Sequence, residues 1–171
     1  RIALSRAIKS YRGNTNDALK KFPHTIKMAE EVREIKSNAV GQMEKLAEQA
    51  SQAIESNKGK AYIAKTAKDA LDIIDKLVGP PKKLIVSGKS MTSEEVGVRH
   101  HLEEHGHDFY ETDLGEFIIQ KLESRPMHIL SPAIHVPKED VAKLFSKITG
   151  KELSTDIPTL VATARNLLRE K

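Results

Sequence analysis

Not one of the 171 residues is a cysteine. That absence excludes disulfides, thiolate-ligated zinc and cysteine-held iron–sulfur clusters within this segment, and it fits a reducing compartment. Long apolar runs are missing too. Nothing approaches the roughly 20 residues that cross a bilayer, and the opening Arg1-Ile2-Ala3-Leu4-Ser5-Arg6 lacks the apolar centre of a signal peptide. These absences give a cytoplasmic reading with no membrane insertion. Charge of one sign is scarce: 28 basic residues stand against 24 acidic ones, for a net charge of +4. So small an imbalance between mixed charges argues against a nucleic-acid partner. An initial Met is also missing, and a chain that begins at Arg1 reads as a piece of something longer. What is present is 39% hydrophobic and 30% charged residues, enough for one domain with a core, or for one domain with helical arms.

The apolar pattern divides the chain. Val32, Ile35, Ala39, Met43, Leu46, Ala50 and Ala53 recur at spacings of three and four, which predicts one long amphipathic helix over about 25–56. Before it, Leu4, Ala7, Ile8 and Tyr11 predict a short helix ended by Gly13-Asn14. Asn14 or Thr15 then caps another through Leu19, and Phe22-Pro23 breaks the chain. Residues 1–58 are thus a helical arm. Its stripe suits packing on its own domain, with a partner-binding coiled coil as the alternative. From residue 59 to 171 the texture becomes that of an α/β domain. Short apolar runs at Lys60–Ala64, Leu84–Ser87, Phe109–Thr112 and His128–Ser131 predict strands. Amphipathic stretches at about 67–78, 93–105, 114–122, 137–149 and 158–169 predict helices, Pro137 taking a first helical position. Strand and helix alternating at this pitch give βαβ units and an open parallel sheet of about four strands.

In such sheets ligands bind beyond the carboxyl ends of the strands. That rule selects Lys65-Thr66, Ser87 to Thr92, Asp113 to Glu116 and Ser131 to His135. Gly88-Lys89-Ser90 invites a phosphate-loop reading, but that motif needs a glycine where this chain has Lys83. What remains is Lys89 with hydroxyls before a helix amino terminus, an arrangement that favours a carboxylate or phosphate. Local capping is the plainer reading, with Thr92 and Glu95 forming a capping box; the two are compatible. Asp113 and Glu116 flank Gly115 within reach of an ion pair with Lys89, and they suit acid–base chemistry, although Asp113 also fits a helix cap. Ser131 and His135 complete the cleft candidates, His135 as a proton carrier or as a structural histidine. His100, His101, His105 and His107 form a cluster in which His101 and His105 have the spacing of a metal pair. No glutamate follows the first of them in the zincin pattern and spacing reveals no third ligand. The cluster therefore reads as an exposed helix end stopped at Gly106, with no metal assigned.

Three of these stretches carry a resemblance. Ser87-Gly88-Lys89-Ser90-Met91-Thr92-Ser93-Glu94-Glu95-Val96-Gly97 is the first, and Glu111-Thr112-Asp113-Leu114-Gly115-Glu116-Phe117-Ile118-Ile119-Gln120 the second. The third is Arg125-Pro126-Met127-His128-Ile129-Leu130-Ser131-Pro132-Ala133-Ile134-His135. In order and length they resemble the LUD family of lactate-utilisation proteins, the iron–sulfur B type in particular, with a looser likeness across the arm and into Ala164–Lys171. Membership implies a fold similar to the sugar-phosphate isomerase and CoA-transferase group (NagB/RpiA/CoA-transferase-like). It also implies sister subunits in a complex that oxidises L-lactate to pyruvate. The family's domain continues beyond the point matching Lys171, and the B type then carries Cys motifs for two [4Fe–4S] clusters. This segment would hold no cofactor itself, and its parent would hold the clusters. A half sheet would expose an apolar edge and invite a homodimer. Two other functions remain open: an enzyme of the related transferase-like group using Lys89 to anchor a phosphorylated or CoA-bearing molecule, and a non-catalytic interaction module built on the arm.

Overall fold

The computed structural model describes residues 2–128 and 130–171, with the side chain of Ile2 also left aside. The chain falls into two compact units, Arg1–Ala7 with Thr66–Lys171, and Ile8–Lys65. No helix among the described residues is long and apolar enough to cross a membrane.

Three helices occupy most of residues 2–56, and residues 59–65 are irregular. Helix α1 runs over Ile2–Lys21 without the expected break at Gly13-Asn14. One glycine costs a helix about 1 kcal/mol against alanine, too little to end a run with good helix formers on both sides. The stop comes at Phe22-Pro23, where proline removes a donor. The single helix expected over 25–56 is two, α2 (Thr25–Val40) and α3 (Met43–Ser56). Between them Gln42 leaves helical geometry at φ −127° and ψ 19°, with Gly41 closing α2. None of the residues in α2 or α3 is buried.

Helix α4 (Ala67–Val78) begins at a reciprocal cap: Asp69 N–H donates to Thr66 Oγ1 and Thr66 N–H to Asp69 Oδ2, each at 3.1 Å. Strand β1 (Leu84–Ser87) follows, and then, in place of one helix over 93–105, α5 (Met91–Val96) and α6 (Val98–Glu104). Gly97 separates them in the left-handed region, φ 80°, where a side chain would be strained. Strand β2 (Asp108–Glu111) lies parallel to β1 with Leu84 opposite Asp108 and Ser87 opposite Glu111. After it come α7 (Leu114–Lys121), α8 (Lys138–Thr149) and α9 (Ile157–Arg169). Pro137 is the N-cap of α8, one position before the expected one.

The sheet of the described residues has two strands, against about four expected. Residues 60–64 form no strand, and Tyr62 and Ile63 are exposed. In the run 128–131 the described residues form none either, and Ile129 lies outside them. An apolar run becomes a strand only where a neighbour completes its ladder. Neither run meets one among the described residues.

The outer edge of β2 is closed by a side chain. Asp108 N–H and Thr112 N–H donate to Lys83 O and Ser87 O, so Phe109 and Glu111 turn their backbone groups away from β1. There the amide of Gln120 acts as one peptide unit of a third strand, donating to Phe109 O at 2.7 Å and accepting from Glu111 N–H at 3.2 Å. The other edge, along β1, has no such cover among the described residues, and Leu84 and Val86 are exposed. The core sits on α7, α8 and α9: Phe117, Ile118, Val141, Ala142, Phe145, Leu160 and Ala164 are buried together, with Tyr110 of β2 packed against them.

Candidate functional site

The carboxyl ends of β1 and β2 meet at a corner built by three turns. After β1 the chain turns through Gly88 and Lys89 into Ser90, whose extended backbone (φ −144°, ψ 114°) and hydroxyl cap α5. Ser93 N–H donates to Ser90 Oγ at 3.1 Å. This corrects the capping box placed on Thr92. The helix begins at Met91, so Thr92 lies in its first turn, exposed, and the cap falls to Ser90. After β2 the carboxylate of Asp113 caps α7, with Oδ1 accepting from Gly115 N–H at 3.0 Å and Glu116 N–H at 3.2 Å. The third turn, through Ser131 and Pro132, packs on Gly115. A Cβ there would meet Pro132 Cδ at 3.0 Å, so a larger residue would make the two turns part by a few tenths of an ångström.

Lys89 ties the three together. Its ammonium pairs with Asp113 Oδ1 at 3.4 Å and donates to Leu130 O at 2.9 Å. An ammonium has three donors, so one is left for a ligand. Beside it lies a cavity of about 310 Å³ lined by Lys89, Asp113, Leu114, Gly115, Ser131 and Pro132, among others. That is the size of a small metabolite's pocket. Of the seven residues singled out from sequence, Lys89, Asp113 and Ser131 line it. Ser90 serves the helix at its border, whereas Thr92 and His135 are not among its lining residues. His135 directly follows Ile134, the last lining residue of that turn, and its Nδ1 is buried with no hydrogen-bond partner among the described residues.

Glu116 is buried in the first turn of α7, beneath this corner. Burial raises its pKa, the charge of Glu94 raises it further, and Lys89 lowers it. Glu111, the last residue of β2, was not among the sequence candidates. It is also buried, and burial, then the neighbouring charge of Glu116, pushes its pKa up to about 7, with Arg99 opposing. The sequence held one signal for it, a carboxylate ending the run Phe109-Tyr110-Glu111 at the end of a strand where ligands bind.

A larger cavity, about 720 Å³, runs along the outer edge of β2. Arg99, Lys121 and Arg125 line it together with Glu103, Asp108 and Glu123, so its charges cancel and it offers no field for an anion. Lys121 Nζ stands 4.8 Å from the centre of the Tyr110 ring, and burial lowers its pKa.

The histidine cluster disperses in three directions. His107 is buried, and His100 lies beside the Arg99 guanidinium at 3.3 Å. His101 Nε2 meets Asp75 Oδ2 at 2.9 Å, and His105 stacks on His101 with ring centres 4.2 Å apart.

A parallel βαβ core with its polar corner at the strand ends places the chain in the α/β class. The LUD domain family model matches residues 47–171. The chain belongs to the LUD domain family. It is 33% identical over 138 residues to Lactate utilization protein B of Oceanobacillus iheyensis, a match covering 80% of this chain and 29% of that protein. It is 36% identical over 124 residues to Lactate utilization protein B 2 of Bacillus mycoides, covering 72% of this chain and 26% of that one. The chain thus spans less than a third of the length of these curated relatives. No solved structure matches it.

Proposed function

We propose that this chain serves lactate utilisation as the amino-terminal part of a LUD domain, within an iron–sulfur electron-transfer subunit of an L-lactate-oxidising complex. The observation that carries the reading is the 33% identity to a lactate utilization protein B across 80% of the chain. The strand-end corner supports it chemically. Lactate and pyruvate are small carboxylates, and the remaining donor of Lys89 beside a cavity of about 310 Å³ suits such an anion. Oxidation of lactate to pyruvate releases two protons and two electrons, and the electrons need a redox centre. With no cysteine, these residues do not fit a [4Fe–4S] cluster. In this reading the clusters belong to the full-length parent, the chain alone is inactive, and the partners are the sister lactate-utilisation subunits. A second copy pairing along the free edge of β1 is a further partner that the exposure of Leu84 and Val86 supports.

Calorimetric titration of the full-length protein with lactate, pyruvate, sugar phosphates and CoA tests the reading, together with its iron content. The expected result is bound iron and lactate or pyruvate binding that Lys89→Met weakens by about tenfold or more, the loss of one charged hydrogen bond. Sugar-phosphate or CoA binding without lactate binding would instead select the transferase-like enzyme. A protein that binds none of them and contains no iron would be an interaction module.

A further inference from the structure

We propose that Asp75, His101 and His105 form a binding site for a divalent transition-metal ion of the zinc class. His101 and His105 lie one helical turn apart at the carboxyl end of α6, so their rings rise from the same face. Asp75, on α4 and 26 residues before His101, supplies the third donor that spacing in the sequence did not reveal. One donor atom from each residue lies within 4.8 Å of the other two. A tetrahedral zinc ion with ligands at about 2.1 Å holds them about 3.4 Å apart, so the donors would close by up to about 1.4 Å on binding. The Asp75–His101 pair is already closer than that tetrahedral spacing, at 2.9 Å.

The hydrogen bonding of His105 sets its tautomer. Its Nδ1 sits 2.6 Å from the backbone carbonyl oxygen of His101. A carbonyl only accepts, so Nδ1 carries the proton and the lone pair is on Nε2. That is how metal-binding imidazoles are commonly held. Two imidazoles and one carboxylate suit zinc, nickel or cobalt, whereas calcium and magnesium prefer sites made wholly of oxygen. Asp75 and His101 are half-buried and His105 is exposed, which gives an ion a path in and leaves its remaining positions to water. A bound ion would clamp α4 to α6 across the β1 connection. The site is separate from the Lys89 corner and independent of the lactate reading.

The test is calorimetric titration of the untagged chain with zinc, with cobalt absorption as a second readout; no thiol competes, since the chain has no cysteine. One ion per chain and a zinc-dependent rise in Tm are expected. Asp75→Asn and His105→Ala should each weaken binding by more than about tenfold. His100→Ala, an exposed histidine outside the trio, should leave binding unchanged. His105 is exposed, so its removal spares the fold, as circular dichroism would verify. The proposal is overturned if zinc and cobalt show no saturable binding, or if binding survives both Asp75→Asn and His105→Ala.

Discussion

Two regions of this chain carry the same kind of apolar pattern and use it differently. In α7 to α9, Phe117, Phe145, Leu160 and Ala164 are buried against one another. In Ile8–Lys65 the stripe is as regular, yet Val32 is 45% exposed, Ile35 66% and Met43 63%, and no described residue of that unit is buried. The stripe is sufficient to select a helix, because helical hydrogen bonds are local. Burial needs a facing surface, and α7, α8 and α9 supply one another with it.

The largest break in this comparison is expected from Phe145→Ala. Phe145 is 0% exposed and packs on Phe117 with ring centres 6.1 Å apart. Its truncation should cost about 3–5 kcal/mol in urea unfolding followed by a probe in the α/β unit. A loss under about 1 kcal/mol would mean the core is not packed as described.

An intermediate effect belongs to Glu111, and its sign follows from the raised pKa. A folded-state value near 7 against an ordinary 4.5 means that the folded protein holds a proton the unfolded chain has lost across that interval. Stability therefore falls as pH rises from about 4.5 to 7 and stays reduced above it. The full shift corresponds to about 3 kcal/mol, which screening by nearby water brings to about 1–2 kcal/mol. Glu111→Gln should flatten the slope, leaving only the part that the raised pKa of Glu116 contributes, and stabilise the protein at pH above about 7. Parallel pH profiles for wild type and variant would contradict this account.

The smallest effect is expected in the helical unit. Ile35→Ser deletes an apolar side chain as surely as a core substitution does, yet it should change stability by no more than about 0.5 kcal/mol. A loss near that of Phe145→Ala would reveal that the stripe is covered in solution.

Much of the fold was legible locally. The bounds of α4 follow from its capping pair and apolar spacing, and α7 and α9 fall within a residue of their expected starts. The βαβ order around Leu84–Ser87 and Asp108–Glu111 was likewise readable. The misses were of two kinds. Gly13 and Gly97 look alike in sequence, yet the helix continues through one and stops at the other, where φ turns to 80°. The run at Lys60–Ala64 has strand composition but no ladder partner among the described residues.

At the site, the sequence by itself determined which turns would be polar, that Lys89 and Asp113 could pair, and that no thiolate chemistry resides here. The tertiary structure alone decided that Ser90 rather than Thr92 caps α5. It also buried Glu111 beside Glu116 and set Asp75 against His101. Residue type and spacing are local properties, read along the chain. A raised carboxyl pKa and a three-donor cluster depend on distances across 26 residues or more of intervening chain, or on the exclusion of water by elements packed from elsewhere, and neither is written in any one segment.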